Sequence, residues 1–263
     1  MNGSTPHPAA DLERRFGGLR RLHGDAGYDR LRGASVAVVG VGGVGSWAAE
    51  ALARCGVAAL TLIDLDHVAE SNVNRQVQAL GSTLGRAKVQ ALRERVADIH
   101  PGCLVHAVEE FVEPGNWPAL LPHEVDVLID ASDGAGAKLA LCRWALQSDT
   151  GFVCVGAAGG KRQPQAVAVD DLAAVTHDPL LASLRRRLRQ SMPVAEGAAI
   201  GVRCVYSKEP VHRPAGECDV DGSLNCHGYG SSVTVTATFG MVAAAEAIRQ
   251  LLERPRSPDG RYL

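Results

Sequence analysis

The stretch Ser35-Val-Ala-Val-Val-Gly-Val-Gly-Gly-Val-Gly45 decides the fold. The apolar run to Val39 predicts a strand buried on both faces. Gly40, Gly42 and Gly45 then form G-x-G-x-x-G where strand passes into helix, with Gly43 in the same turn. Glycines permit the tight turn, and the helix N-terminus behind them attracts phosphate. Asp64 closes the next apolar run, the position from which a carboxylate binds a ribose hydroxyl. Taken alone, this pattern describes an NAD-binding domain equally well.

The polar residues that follow change the reading. They are Asp64 and Asp66, then Ser71-Asn-Val-Asn-Arg-Gln76, then Lys88. A dehydrogenase has no need of Asn74, Arg75, Gln76 and Lys88 just beyond its acidic residue. A nucleoside triphosphate does, because Arg and Lys clamp its charges and stabilise a leaving pyrophosphate. Singly, Arg75 and Lys88 are ordinary surface residues; as a spaced set with the glycine turn they point to cleavage of ATP between the α- and β-phosphates. Asp130 and Asp133 end a further strand, Leu128-Ile-Asp-Ala-Ser-Asp133, and ligands bind at that edge of a parallel sheet. Asp133 is expected to hold Mg²⁺ on the phosphates. Asp130 is expected to be partly structural, with a helix cap as the alternative role for one of the pair.

Strands are predicted at 35–39, 59–64, 104–108, 125–130 and 152–156, and helices at 43–55, 87–99 and 136–147. That alternation gives an α/β fold, a doubly wound, mostly parallel sheet with helices on both faces. Asp11 to Leu31 is predicted helical in pieces, broken at Gly17-Gly18 and Gly24. Gln165 to Val169 adds a strand, and Asp178-Pro179 opens a helix running to about Gln190. Residues 191–232, rich in Gly, Pro and Ser, are expected to be irregular, before a last apolar helix over 233–252. The expected division is a disordered lead (1–10), an ATP-binding core (11–160), a substrate-facing insertion (161–232), and a closing helix with its tail (233–263).

The 263 residues suit one large domain or a domain with an insertion. A net charge of −2 excludes a general polycation, so any nucleic-acid contact has to come from a local patch. The seven cysteines include no C-x-x-C pair, which argues against a disulfide framework and a four-cysteine zinc site. Reduced core cysteines fit a cytoplasmic protein. No run reaches the ~18 apolar residues of a membrane span, and the first ten residues lack the features of a signal peptide.

These motifs resemble the ubiquitin-activating-enzyme-like superfamily, which includes enzymes that adenylate the C-terminus of small sulfur-carrier proteins. The resemblance implies that Gly42 lies against the ATP phosphates, that Asp64 holds the ribose, and that Asn74, Arg75 and Lys88 contact the phosphates. It also implies a homodimer, with Arg15, in Arg14-Arg-Phe-Gly-Gly18, reaching the partner's phosphates. Gly43-Val-Gly-Ser-Trp-Ala-Ala-Glu-Ala-Leu-Ala53, Gly156-Ala-Ala-Gly-Gly160, Asp178-Pro179 and Val235-Thr-Ala-Thr-Phe-Gly240 resemble a narrower family, the tRNA threonylcarbamoyladenosine dehydratases. That resemblance implies ATP and Mg²⁺ as cofactors, a tRNA carrying threonylcarbamoyl on the adenosine beside the anticodon as substrate, and its cyclic hydantoin form as product. An activator of a sulfur carrier, using the same ATP site on a protein C-terminus ending in Gly-Gly, is the alternative; such activators usually carry paired C-x-x-C zinc ligands, and this chain has none. A nucleotide-gated binding module is a third, weakened by the intact set of Arg75, Lys88 and Asp133. A sulfur-transfer protein is a further potential partner.

Between 180 and 213 the chain carries Arg185, Arg186, Arg187, Arg189, Arg203, Lys208 and Arg213 against only Glu196 and Glu209. With the resemblance, Arg185, Arg186, Arg187 and Arg189 are candidates for tRNA phosphate contact; without it they describe a solvated amphipathic helix. Cys226 stands where the superfamily places a cysteine that takes an acyl or sulfur group. A thiol beside a helix N-terminus gains nucleophilicity, yet ring closure needs no enzyme thiol, and a structural role is the alternative.

Overall fold

The computed structural model describes residues 10–192, 198–212 and 229–253. Two short helices lead in, α1 (Leu12–Phe16) and α2 (Gly18–Arg32). They meet at Gly17, and α2 kinks at Gly24, which takes a φ of 72°. The alternation then runs β1 (Ser35–Val39), α3 (Gly45–Arg54), β2 (Ala59–Ile63), α4 (Lys88–Ile99), β3 (Leu104–Val108), β4 (Val127–Asp130), α5 (Ala135–Ala145) and β5 (Gly151–Val155). It closes with β6 (Val167–Asp171), α6 (Pro179–Ser191), β7 (Arg203–Ser207) and α7 (Val233–Glu253).

The seven strands form one sheet in the order β3-β2-β1-β4-β5-β7-β6. All neighbours are parallel except β6, which runs antiparallel to β7. Because side chains alternate across a strand, β1 divides itself between two cores. Val36 and Val38 pack with α3, α4 and α7, while Ala37 and Val39 pack with α5 and α6. Strands buried this way read as unbroken apolar runs, which is why β1, β2, β4 and β5 were legible.

One expectation needs correction. The region predicted to be irregular, 191–232, contains β7, which lies inside the sheet between β5 and β6 rather than in a loop. Its register is fixed by Asp171, at the end of β6. The two carboxylate oxygens accept N–H bonds from Ala173 (2.8 Å), Ile200 (2.9 Å), Gly201 (2.7 Å) and Val202 (3.2 Å). One side chain thus satisfies the backbone donors of the turn that leads into β7.

Helix α7 lies close on α3. A Cβ on Gly240 would stand 2.5 Å from the Val44 carbonyl oxygen, so only glycine permits that approach. No helix among the described residues is long and apolar enough to cross a membrane.

Candidate active site

The chain leaves β1 for β2 and β3 on one side, then returns to β4 on the other. The crevice at that reversal is where open α/β sheets bind ligands. Here it is a cavity of about 740 Å³, within the range typical of small-molecule sites.

The glycine turn forms its floor. Gly40 has a φ of 79°, and a Cβ there would meet the Ala131 carbonyl oxygen at 2.9 Å. A Cβ on Gly45 would lie 1.9 Å from the Gly40 oxygen, so the turn closes only without one. Gly40, Gly42 and Gly43 line the cavity, while Gly45 supports it from behind as the first residue of α3.

Asp64, just past β2, holds the turn in place. Its Oδ2 accepts from the Val41 N–H at 2.8 Å and its Oδ1 from the Asp66 N–H at 2.9 Å. Burial raises its pKa; the Lys88 charge and these N–H bonds work in the opposite direction. Lys88 opens α4, is buried, and donates from Nζ to Asp66 Oδ2 at 2.6 Å.

Asn74 and Arg75 form the adjoining wall. Asn74 donates to the Ser231 carbonyl at 2.9 Å, and the half-buried Arg75 donates from its guanidinium to the Ser71 carbonyl at 2.7 Å and to Asn74 Oδ1 at 3.0 Å. The Arg75 carbonyl is anchored from two helices, by Trp47 Nε1 at 2.9 Å and Thr236 Oγ1 at 3.4 Å.

Across the cavity, at the end of β4, the two aspartates sit in different surroundings. Asp130 is fully buried and paired with the fully buried Lys138 at 3.0 Å; it also accepts from Ser132 Oγ at 2.6 Å. Burial pulls the Lys138 pKa down, but the Asp130 charge and hydrogen bond, together with the neighbouring Cys154 and Cys204, hold it above its ordinary value. Asp133 instead lines the cavity.

The remaining wall is the turn after β5. Asp178 caps α6 by accepting the Leu181 N–H at 3.0 Å, and its other oxygen accepts the Ala157 N–H at 2.9 Å. A Cβ on Gly156 would collide with that oxygen at 2.1 Å. Buried Lys161, which carried no functional reading in the sequence, donates to the carbonyls of His177 (3.0 Å) and Glu209. It joins the turns around β7 and α6, and burial lowers its pKa.

The cavity therefore brings together Gly40, Gly42, Gly43, Asp64, Asp66, Asn74, Arg75, Lys88 and Asp133. It does not include Gln76, which is buried beneath the turn and accepts from Gln78 Nε2 at 3.3 Å. Nor does it include the chain's own Arg15, whose guanidinium caps the end of α4 through the Asp98 (2.8 Å) and Ile99 (2.6 Å) carbonyls. The basic set on α6 also divides. Arg185 turns back to the Leu172 (3.1 Å) and Val175 (2.8 Å) carbonyls, while Arg186, Arg187 and Arg189 are exposed. Arg203 is drawn to Glu246 at 3.2 Å. Cys226 and Arg213 lie outside the described residues. Phe111 and Val112, which line the cavity from the loop after β3, were not anticipated.

The ThiF family profile matches residues 14–263. A Haemophilus influenzae protein named tRNA threonylcarbamoyladenosine dehydratase is 36% identical over 249 residues, 93% of this chain and 95% of its own. The crystal structure of the E. coli tRNA N6-threonylcarbamoyladenosine dehydratase, TcdA, in complex with ATP superposes with a TM-score of 0.84 at 40% identity, covering 92% of this chain and 96% of that one. The same enzyme in complex with AMP gives 0.83 at 40% identity, with the same coverage. The chain belongs to the ThiF family.

Proposed function

We infer that the protein uses ATP to dehydrate threonylcarbamoyladenosine in tRNA, closing its cyclic hydantoin form through a carboxyl-adenylate. The observation that carries this reading is the cavity itself, where a glycine turn and the Asp64 carboxylate face the cations Arg75 and Lys88 with Asp133 opposite. The relatives named for this reaction, and the structures of one with ATP and with AMP, support it.

In this reading the threonine carboxylate attacks the α-phosphate, forming a C–O–P bond as the bond to the β-phosphate breaks. Arg75 and Lys88 stabilise the charge that builds on the departing pyrophosphate. The ureido nitrogen of the same substituent then attacks the acyl carbon, AMP leaves, and the nitrogen's proton passes to solvent. Intramolecular attack of this kind reaches effective molarities of about 10⁵ M or more, so the residues need mainly to activate the carboxylate and exclude water.

A cavity-facing carboxylate beside the expected phosphates suits Mg²⁺, which is commonly held by one or two carboxylates plus substrate oxygens. Asp133 would hold it, since Asp130 is committed to Lys138. When bound, the ion neutralises phosphate charge.

Arg15 of a second copy completes the phosphate clamp in this reading. Leu65, Val73, Leu80 and Leu84, on the segment between β2 and α4, are 41–49% exposed and supply an apolar face for that copy. The exposed arginines of α6 form the tRNA-facing surface. They begin roughly 10 Å along the helix from Pro179 at the cavity lining, given ~1.5 Å per residue. The proposed ATP-binding part (11–160) and substrate-facing part (161–232) thus share one sheet. Formation of AMP and pyrophosphate that depends on threonylcarbamoyl-modified tRNA, and is absent with unmodified tRNA, is the test of this function.

A further inference from the structure

The chain has four phenylalanines. Phe16, Phe152 and Phe239 are 3%, 8% and 0% exposed, whereas Phe111 is 53% exposed on the lip of the cavity. Singly exposed apolar side chains are ordinary on a protein surface; what distinguishes Phe111 is that its exposed ring lines the ligand cavity.

The backbone beneath that ring is fixed. Val112 and Trp117 are buried in the core on the α5 side of the sheet, and Trp117 packs edge-to-face on Trp144 at 5.2 Å. Between them Asn116 clasps the loop, donating from Nδ2 to the Phe111 carbonyl and accepting the Glu113 N–H, both at 2.8 Å. The ring therefore stands on a braced turn.

Its surroundings select the ligand. Glu110 and Glu113, both exposed, flank it on the lining and repel phosphate. The cations, Arg75 and Lys88, belong to the glycine-turn wall. A neutral, flat, apolar face is therefore favoured beside Phe111. The interior of the cavity already offers an apolar wall for the base of ATP in Val39, Ile63, Val112, Ala131 and Ala137. A substituent on an adenine ring, brought from a tRNA loop to the α-phosphate, needs its base held at the mouth, out of the stack. Unstacked bases are commonly held against aromatic side chains.

We propose that Phe111 is a stacking platform for the adenine of the modified nucleoside, and so a specificity-determining residue for the RNA substrate. The inference rests on the tRNA-dehydratase reading and deepens it. Base–aromatic stacking is strong enough that Phe111→Ala lowers kcat/KM for modified tRNA by about tenfold or more. The KM for ATP changes less than about twofold. Phe111→Leu, apolar but without a π-face, resembles the alanine variant, and Phe111→Trp retains activity. Unchanged thermal melting checks that the exposed position leaves the fold intact.

The direct measurement is the affinity of an anticodon stem-loop carrying the modified adenosine for wild type and for each variant. Weaker binding by the Ala and Leu variants, with ATP affinity preserved, is the expected result. Equal stem-loop affinity across the variants overturns the platform, as does a loss confined to ATP, which would assign the ring to the nucleotide base. If wild type fails to convert modified tRNA, the dehydratase reading falls on its own, and stem-loop affinity still decides the role of Phe111.

Discussion

Lys88 Nζ lies 2.6 Å from Asp66 Oδ2, with the lysine side chain 7% exposed and the aspartate 54%. The pair fixes a buried positive charge at the cavity wall while leaving the carboxylate open to water. Lys88→Ala should lower kcat by about 10²–10³, the usual consequence of removing one preorganised stabilising donor. ATP binding should weaken less than turnover. Tritiated ATP binding and tRNA-dependent AMP formation at saturating ATP measure the two separately, and weaker ATP affinity with an unchanged kcat would reassign Lys88 to ground-state binding.

Arg75→Ala and Asp133→Asn should each abolish turnover without unfolding the protein. The Arg75 backbone stays anchored by Trp47 and Thr236 whatever its side chain. Circular dichroism melts should match wild type. If Arg15 serves the partner's cavity, mixing inactive Arg15→Ala with inactive Asp133→Asn restores part of the activity through hybrid dimers. Full activity in both Arg75→Ala and Asp133→Asn would dismantle the site assignment.

Asp171 should confer pH-dependent stability. Burial works against its charge, but the N–H groups of Ile200, Ala173, Gly201 and Val202 outweigh it and lower its pKa. A folded pKa below the unfolded value gives stability that is present above the unfolded pKa, about 3.9. That stability is lost as pH falls through the folded value. Asp171→Asn should therefore cost about 1.5–3 kcal/mol near pH 7, the scale of hydrogen bonds to a charged group. The gap to wild type should narrow below about pH 4. Urea unfolding at about pH 7 and about pH 3.5, on either side of that value, tests this; a gap independent of pH would show that shape, not charge, is what the turn needs.

Neutralising Arg186, Arg187 and Arg189 should weaken tRNA binding and flatten its dependence on salt, by about one unit of log–log slope for each phosphate no longer neutralised. Arg185→Gln should instead lower stability, because its guanidinium serves the Leu172 and Val175 carbonyls. Filter binding across a salt series reads the first effect. An unchanged slope in the triple variant would place the RNA surface elsewhere.

Much of this was legible in the chain because the information was local. Four strands announced themselves as apolar runs, and the glycine turn, Asp64, Arg75, Lys88 and Asp133 lie at spacings that a strand–turn–helix unit brings to one edge. Asp178-Pro179 carried its own capping chemistry, and the structure places the cap where the pair implies. What escaped depends on distant parts of the chain. Strand β7 is five residues between Gly201 and Pro210; the short run Val202-Arg-Cys-Val-Tyr206 was its only signal, and the N–H bonds to Asp171 that set it span about thirty residues of chain. Gln76 sat in a motif with Arg75, but the turn after Asn74 carries it under the glycine loop instead of into the cavity. Phe111 has no local signature, since its exposure is decided by Val112, Asn116 and Trp117 bracing the loop beneath it.

The most direct test of the central claim is mass spectrometry of nucleosides after the purified protein is incubated with threonylcarbamoyl-modified tRNA, ATP and Mg²⁺. An ATP-dependent dehydratase removes the mass of one water from the modified nucleoside, and only when ATP is present. An unchanged nucleoside, together with pyrophosphate exchange stimulated by a small protein ending in Gly-Gly, would contradict that activity and identify an activator of a sulfur carrier.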